Sequence, residues 1–279
     1  MGPDVSSSGD DAGLGGDRAG LGGDRAGLGG DRAGLGGLSV TVLGNSGSYP
    51  GPGSACSGYL LRHQGFNLWL DAGPGTMANL QTHIGLGDVD AIVLSHQHPD
   101  HWSDIDGFFV ACRYVETRTE VPIYAPAGIR DLMRSGPDTE STLAWHDVTD
   151  KSALAVGPFR LTFARTEHPP ETLAVRVDVR GSDVALGYSA DTGPGWSLEA
   201  LGPGLDLAIC EATFLQDREG SSPHLSARQA GASARAAGVE RLLISHIWPI
   251  VDPKQSEAEA TEAFGAPVEC AQINATYQL

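Results

Sequence analysis

Short apolar segments recur along the chain from residue 38 onward and predict a fold rich in strands. The segment at residues 90–95 is almost wholly apolar, which is typical of a strand buried on both faces. Residues 58–62 and 66–70 predict a hairpin. Further strands are predicted at residues 38–43, 121–125, 159–165, 173–179, 184–188, 207–210 and 242–245.

Helices are predicted at residues 77–84, 105–115, 226–237 and 254–264. Strands that come in groups with helices between them favour a layered α/β sandwich over a strict alternation of strand and helix. No linker interrupts the pattern after residue 38, so residues 38–279 are expected to form one folded domain.

The first 37 residues have a different character. Residues 12–37 repeat the heptapeptide Ala-Gly-Leu-Gly-Gly-Asp-Arg three times and then begin a fourth copy. Each copy offers one Leu and three Gly, and glycine at that density costs too much backbone entropy for a helix. Residues 1–37 are therefore expected to be a disordered, glycine-rich tail.

Net charge limits the partners. The chain of 279 residues carries −17, of which residues 1–37 contribute −3 (six Asp, three Arg), so residues 38–279 carry −14. Repulsion of this size opposes the binding of polyanions, and extended nucleic acid is not an expected partner. A small anion held at a metal centre is compatible with it.

Cysteines and apolar runs bear on location. The four cysteines are far apart and form no Cys-x-x-Cys pair, as is typical of free thiols in a reducing compartment. No apolar run reaches the roughly 18 residues that a membrane span requires, and the N-terminal residues lack the pattern of a signal peptide. A cytoplasmic protein without a membrane partner is expected.

Residues 95–101, Ser-His-Gln-His-Pro-Asp-His, directly follow the predicted strand at residues 90–95. Side chains in a loop after a strand can converge on a site without disturbing the core. Only nine histidines occur in the chain, and three imidazoles with one carboxylate are ligands that zinc prefers. The segment therefore predicts a metal site with the ligands His96, His98, Asp100 and His101.

This His-x-His-x-Asp-His segment resembles the signature of the metallo-β-lactamase-fold hydrolases, and the resemblance spans nearly all of residues 38–270. Three later motifs of that family find a counterpart in the same order: His168 in Thr-Glu-His-Pro, Asp191 in Tyr-Ser-Ala-Asp-Thr, and His246 in Leu-Ile-Ser-His. Ala190 stands where the family has Gly. The fold that the resemblance implies is a four-layer αββα sandwich.

The resemblance also implies two divalent metal ions. One would be held by His96, His98 and His168, the other by Asp100, His101 and His246, with Asp191 bridging them. Two such ions about 3.5–4 Å apart can share a hydroxide that attacks the substrate. Seven ligands exceed the four of a structural zinc site. Zinc is expected, with manganese as the alternative, because a mixed His/Asp site accepts both.

Two further segments resemble the phosphodiesterase branch of this superfamily that includes ribonuclease Z. They are Glu-Ala-Thr-Phe at residues 211–214 and His-Leu-Ser at residues 224–226. In that branch a histidine that is not a ligand, oriented by an acidic residue, assists departure of the phosphate ester. By this resemblance Asp100, Glu211 and His224 are the catalytic residues. Asp71 is expected to form a turn or orient a ligand instead of binding metal.

The interval from His168 to Asp191 leaves no room for the RNA-gripping arm of transfer-RNA-processing ribonuclease Z. Residues 43–48, 57–62 and 245–247 resemble actinobacterial cyclic nucleotide phosphodiesterases. The resemblance implies hydrolysis of a small phosphodiester, such as a 3′,5′-cyclic nucleotide. Relatives of this type are typically dimers, so the resemblance also implies a homodimer. A lactonase or other carboxylic ester hydrolase, a ribonuclease Z-like RNA endonuclease and a non-enzymatic metal-binding protein are the alternatives.

Overall fold

The computed structural model describes residues 37–134 and 139–279. The predicted tail lies outside the described residues, apart from Gly37. Seven strands form each of two mixed sheets. The strands are β1 Ser39–Gly44, β2 Gly58–His63, β3 Phe66–Ala72, β4 Ala91–Val93, β5 Val121–Ala125, β6 Leu143–Asp147, β7 Ala153–Val156, β8 Phe159–Arg165, β9 Leu173–Val179, β10 Ala185–Tyr188, β11 Leu207–Glu211, β12 Arg241–Ser245, β13 Glu269–Cys270 and β14 Thr276–Gln278.

The first sheet has the strand order β14-β1-β2-β3-β4-β5-β6, and the second has the order β13-β12-β11-β10-β9-β8-β7. In the first sheet, the strands from β3 to β6 run parallel. In the second, the strands from β10 to β13 do so. The helices are α1 Thr76–Leu80, α2 Asp104–Ala111, α3 Ile129–Leu132, α4 Thr139–Thr142, α5 Ala227–Ala236 and α6 Pro253–Phe264.

Three hydrophobic clusters separate four layers. The central cluster joins the facing sides of the two sheets, for example Leu70 of β3 and Val175 of β9. A second cluster packs Trp69 of β3 against Phe108 of α2, and a third packs β11 and β12 against α5 and α6. Because both faces of each sheet are covered, the strands are apolar on both sides. The predicted αββα sandwich is confirmed.

The predicted strands and helices are present, with small changes at their ends. The helix predicted at residues 77–84 ends at Leu80, and the one at 105–115 passes after Ala111 into a π-helical turn over Cys112–Glu116. β6, β7, β13 and β14 were not predicted. All four cysteines are buried free thiols. No helix in the described ranges is long and apolar enough to cross a membrane.

Candidate metal centre

The loops that follow β4, β8, β10, β11 and β12 meet at one edge of the two sheets. The loop after β4 is tied to the second sheet by a hydrogen bond from the Leu173 N–H to the Ser95 carbonyl at 3.1 Å. These loops and the last residue of β11 bring together all the predicted site residues, which are His96, His98, Asp100, His101, His168, Asp191, Glu211, His224 and His246.

The first cluster consists of His96, His98, His168 and Asp191, whose ligand atoms all lie within 4.8 Å of one another. His96 Nε2 is 3.6 Å from Asp191 Oδ2, and His168 Nε2 is 3.8 Å from the same oxygen. His98 presents its Nδ1, 3.1 Å from His168 Nε2. Three imidazole nitrogens and one carboxylate oxygen therefore face a common point.

The second cluster consists of Asp100, His101, His246 and, again, Asp191. Here the other oxygen, Asp191 Oδ1, is 3.3 Å from His101 Nε2 and 3.4 Å from His246 Nε2. Asp100 Oδ2 lies 3.2 Å from His246 Nε2 and 3.5 Å from His101 Nε2. Asp191 thus offers one oxygen to each cluster.

Both clusters fit a divalent cation. Ligands about 2.0–2.2 Å from a shared tetrahedral zinc ion are roughly 3.3–3.6 Å from each other, which is the spacing found between most of these atoms. Buried polar atoms normally have a hydrogen-bond partner, yet His96 Nε2, His101 Nε2 and Asp191 Oδ1 are buried without one. A cation in each cluster would satisfy them.

Asp71 orients histidines of both clusters. Its buried carboxylate, at the end of β3, accepts hydrogen bonds from His101 Nδ1 at 2.7 Å and from Tyr188 Oη at 2.6 Å. It also accepts from the Ser95 hydroxyl at 2.8 Å, whose oxygen is 3.0 Å from His96 Nδ1. Holding Nδ1 in this way leaves the Nε2 atoms of His96 and His101 free to bind a cation. The expectation for Asp71 agrees with this geometry.

Glu211, the last residue of β11, also orients side chains of the site. One of its oxygens accepts from His224 Nδ1 at 3.1 Å and from the Thr192 N–H, and the other from the Leu225 N–H and from the Thr213 hydroxyl at 2.6 Å. With four donors on one carboxylate, Glu211 is not available to bind metal, although it lies near His224 and His246. It is an orienting residue.

Thr213 extends this network to the second cluster. Its hydroxyl donates to Glu211 and lies 2.9 Å from His246 Nδ1. Since the hydroxyl proton points at Glu211, the hydroxyl oxygen accepts the Nδ1 proton of His246. His246 Nε2 is thereby directed at Asp100 and Asp191. One buried carboxylate therefore holds both His246, through Thr213, and His224 directly.

His224 lies against both clusters without belonging to either. Its ring centroid is 4.9 Å from that of His168 in the first cluster and 5.4 Å from that of His246 in the second. Because Nδ1 is bonded to Glu211, Nε2 is the atom that remains for a substrate. His224 thus has the position of a proton donor beside the two clusters.

Comparison with known proteins places this geometry in a family. A model of the beta-lactamase superfamily domain matches residues 67–247, which include all the residues of both clusters. The chain belongs to the beta-lactamase superfamily. It is a metallo-hydrolase of the ribonuclease Z-like branch, as its relatives show.

An uncharacterized protein of Mycobacterium tuberculosis is 33% identical over 252 residues, which cover 86% of this chain and 92% of that protein. The probable metallo-hydrolase YhfI of Bacillus subtilis is 30% identical over 246 residues, 84% of this chain and 97% of YhfI. The YhfI crystal structure matches with a TM-score of 0.80 at 28% identity, covering 87% of this chain and 100% of that one. A ribonuclease Z of Mycobacterium avium is 29% identical over 269 residues, 83% of this chain and 95% of that enzyme.

Electrostatics in this metallo-hydrolase suit cation binding. Burial lowers the pKa of His96, His98 and His168, so these rings are neutral, which is the form that binds metal. At the second cluster, burial opposes charge on Asp191, but His246 and His101 hold the pKa of Asp191 well below its usual range. The carboxylate that the two clusters share is therefore ionised.

The charge on His224 is set by its acidic partner. Burial opposes protonation, but the charge and hydrogen bond of Glu211, together with the charge of Asp191, raise the pKa of His224 to about 9. The ring is therefore protonated at neutral pH, and its Nε2–H can be donated.

The glycine-rich turn after β1 holds Asp100, one of the predicted metal-binding residues. The Ser48 N–H donates to Asp100 Oδ2 at 2.9 Å. A Cβ on Gly47 would come within 2.4 Å of the His246 carbonyl oxygen, so only glycine allows this approach.

The roles of Thr213, Ser48 and Tyr188 were not predicted. For Thr213 a signal existed, because it follows Glu211 within Glu-Ala-Thr-Phe.

Proposed function

We propose that this metallo-hydrolase cleaves small phosphodiesters such as 3′,5′-cyclic nucleotides at a centre of two divalent cations, zinc or manganese. His96, His98 and His168 would hold one cation and Asp100, His101 and His246 the other, with Asp191 shared. The observation that carries the proposal is His224, held by buried Glu211 against a histidine of each cluster.

Bound cations would lower the pKa of a water molecule and stabilise charge on the phosphate oxygens. The protein's own part is to orient the ligands and to supply a proton. His224 Nε2 donates that proton to the leaving oxygen, and Glu211 fixes the ring through Nδ1. Such a transfer is worth about 10²–10⁴-fold in rate. Asp100, held by the Ser48 N–H, is proposed to orient the attacking water as well as to bind a cation.

A phosphodiester is favoured over a carboxylic ester for two reasons. A lactonase could use the same two clusters, but it would have no need for the Glu211–His224 pair. The ribonuclease Z of Mycobacterium avium, at 29% identity, bears the name of an enzyme that cleaves phosphodiester bonds in RNA. The Glu211–His224 pair and the ribonuclease Z relative both support cleavage of a phosphodiester.

A small substrate is favoured over RNA. The interval between His168 and Asp191 is occupied by β9, β10 and the turn that joins them. Residues 38–279 carry a net charge of −14, which repels a polyanion. A ribonuclease Z-like endonuclease is the alternative. The cytoplasmic location and the homodimer stay predictions from the sequence.

The test is His224→Ala, assayed on an alkyl and a nitrophenyl phosphodiester. The variant should keep its metal content, lose about 10²–10⁴-fold in kcat on the alkyl ester and lose far less on the nitrophenyl ester, whose leaving group needs no proton. His146→Ala is the matched control, since His146 stacks on Tyr124 outside both clusters. Equal losses on the two esters would contradict the role of His224.

A further inference from the structure

A pocket of about 380 Å³ lies against the first cluster, with His168 as part of its wall. Pro223, the neighbour of His224 in the chain, forms another part and accepts a hydrogen bond from His168 Nδ1 at 3.0 Å. A group bound here would therefore adjoin a proposed metal ligand and the chain segment that carries the proposed proton donor. The leaving group of the substrate meets that description.

The walls indicate what this pocket accepts. Pro169, Pro194 and Pro223 line it, and proline has no N–H to donate to an anion. Arg165 and Glu167 add one positive and one negative charge, so the wall has no excess positive charge to hold a second phosphate. The volume is near the lower end of small-ligand sites. A neutral ring system that carries hydrogen-bond donors fits these walls.

The side chain of Glu167 is exposed, but it is held in place with one oxygen to spare. Its backbone carbonyl accepts from the Gly193 N–H at 2.8 Å, and its Oε2 accepts from the Gly195 N–H. A Cβ on either glycine would collide with the Glu167 carboxylate. No described residue donates to Oε1. A fixed carboxylate with an open acceptor is suited to a hydroxyl group.

We propose that this pocket binds the sugar of the leaving group and that Glu167 accepts a hydrogen bond from a sugar hydroxyl. This inference rests on the proposed function and makes it more specific: the substrate is a ribonucleotide, and Glu167 distinguishes it from the deoxy form. Glu167 is thus a specificity-determining residue, separate from the ligands and from His224.

The experiment varies both the 2′-hydroxyl of the substrate and the carboxylate of Glu167. Cyclic AMP and its 2′-deoxy analogue are assayed with the wild type, Glu167→Ala and Glu167→Gln, each loaded with metal. A hydrogen bond to a charged group is worth roughly 10- to 100-fold in kcat/KM, and solvent screening at this exposed carboxylate favours the lower end, so the wild type should prefer cyclic AMP by about 10-fold. Glu167→Ala should remove the preference by lowering turnover of cyclic AMP alone.

Two controls separate this effect from damage to the fold. Glu167→Gln keeps an oxygen for the Gly195 N–H but presents no charged acceptor, so it should lose most of the preference with the loop intact. Asp183→Asn makes the same change in charge at an exposed turn and should behave as the wild type. Turnover of bis(nitrophenyl) phosphate, which lacks a sugar, should stay the same in Asp183→Asn and should fall much less than turnover of cyclic AMP in the two Glu167 variants.

The outcomes are distinct. Equal turnover of the two cyclic nucleotides by the wild type, or a full preference retained in either Glu167 variant, would overturn the assignment of Glu167 while leaving phosphodiester hydrolysis standing. Turnover of the nitrophenyl ester but of neither nucleotide would overturn the nucleotide substrate itself, and this inference with it.

Discussion

Replacing Thr213 by Val tests the link between Glu211 and the second cluster. Valine is nearly the same shape as threonine but lacks the hydroxyl that donates to Glu211 Oε2 at 2.6 Å and accepts from His246 Nδ1 at 2.9 Å. Thr213 is fully buried, so water cannot replace the hydroxyl without rearrangement. Both the imidazole N–H and one carboxylate oxygen lose a partner.

The magnitude follows from those two groups. A buried polar group left unpaired costs about 1–3 kcal/mol, and each 1.4 kcal/mol is a factor of about ten in an equilibrium constant. Outer residues that orient metal ligands are worth about 10–100-fold in affinity. Thr213→Val should therefore weaken the cation at Asp100, His101 and His246 by about 10–100-fold and leave the first cluster unchanged.

The assay is a zinc titration against a chromophoric chelator, in which we expect two binding steps per chain. Only one step should weaken in Thr213→Val, and Thr213→Ser, which keeps the hydroxyl, should restore it. Two unchanged steps in the valine variant, or an equal loss in the serine variant, would show that the Thr213 hydroxyl does not hold His246 for the cation.

Two more predictions concern the buried polar network. Asp71→Ala leaves His101 Nδ1, the Ser95 hydroxyl and the Tyr188 hydroxyl without their common acceptor; we expect a loss of about 3–5 kcal/mol in urea unfolding, and a loss below about 1 kcal/mol would contradict it. Removing metal with a chelator should lower the thermal midpoint, because cations that bind only the folded chain add about 4.1 kcal/mol at a thousand times their Kd; an unchanged midpoint on chelation and reloading would show that neither cluster holds a cation.

Much of the fold could be predicted because buried strands leave a plain mark. Residues 91–93 lie between two hydrophobic layers, so every side chain of β4 is apolar. β6 and β7 were missed for the opposite reason. They are the outer strands of their sheets, and only Leu143 and Val156 are buried in them; β6 ends in His146 and Asp147, and the apolar run of β7 is only four residues long.

In the candidate site, the metal-binding residues could be predicted from sequence patterns, whereas the contacts that orient them could not. His96, His98, Asp100 and His101 stand together in the chain and carry a recognisable pattern, and His168, Asp191 and His246 follow in family order. The contacts that orient them depend on tertiary structure. The hydroxyl of Thr213 meets His246 across 33 positions, and Asp71 meets Tyr188 across 117. No local pattern encodes such pairs.

We propose that this chain uses its two clusters to hydrolyse small phosphodiesters. The most direct measurement is the turnover of cyclic AMP and of an acyl-homoserine lactone, side by side, by one preparation loaded with zinc or manganese. We expect cyclic AMP to be hydrolysed and the lactone to be left intact. Hydrolysis of the lactone without hydrolysis of cyclic AMP would contradict the account.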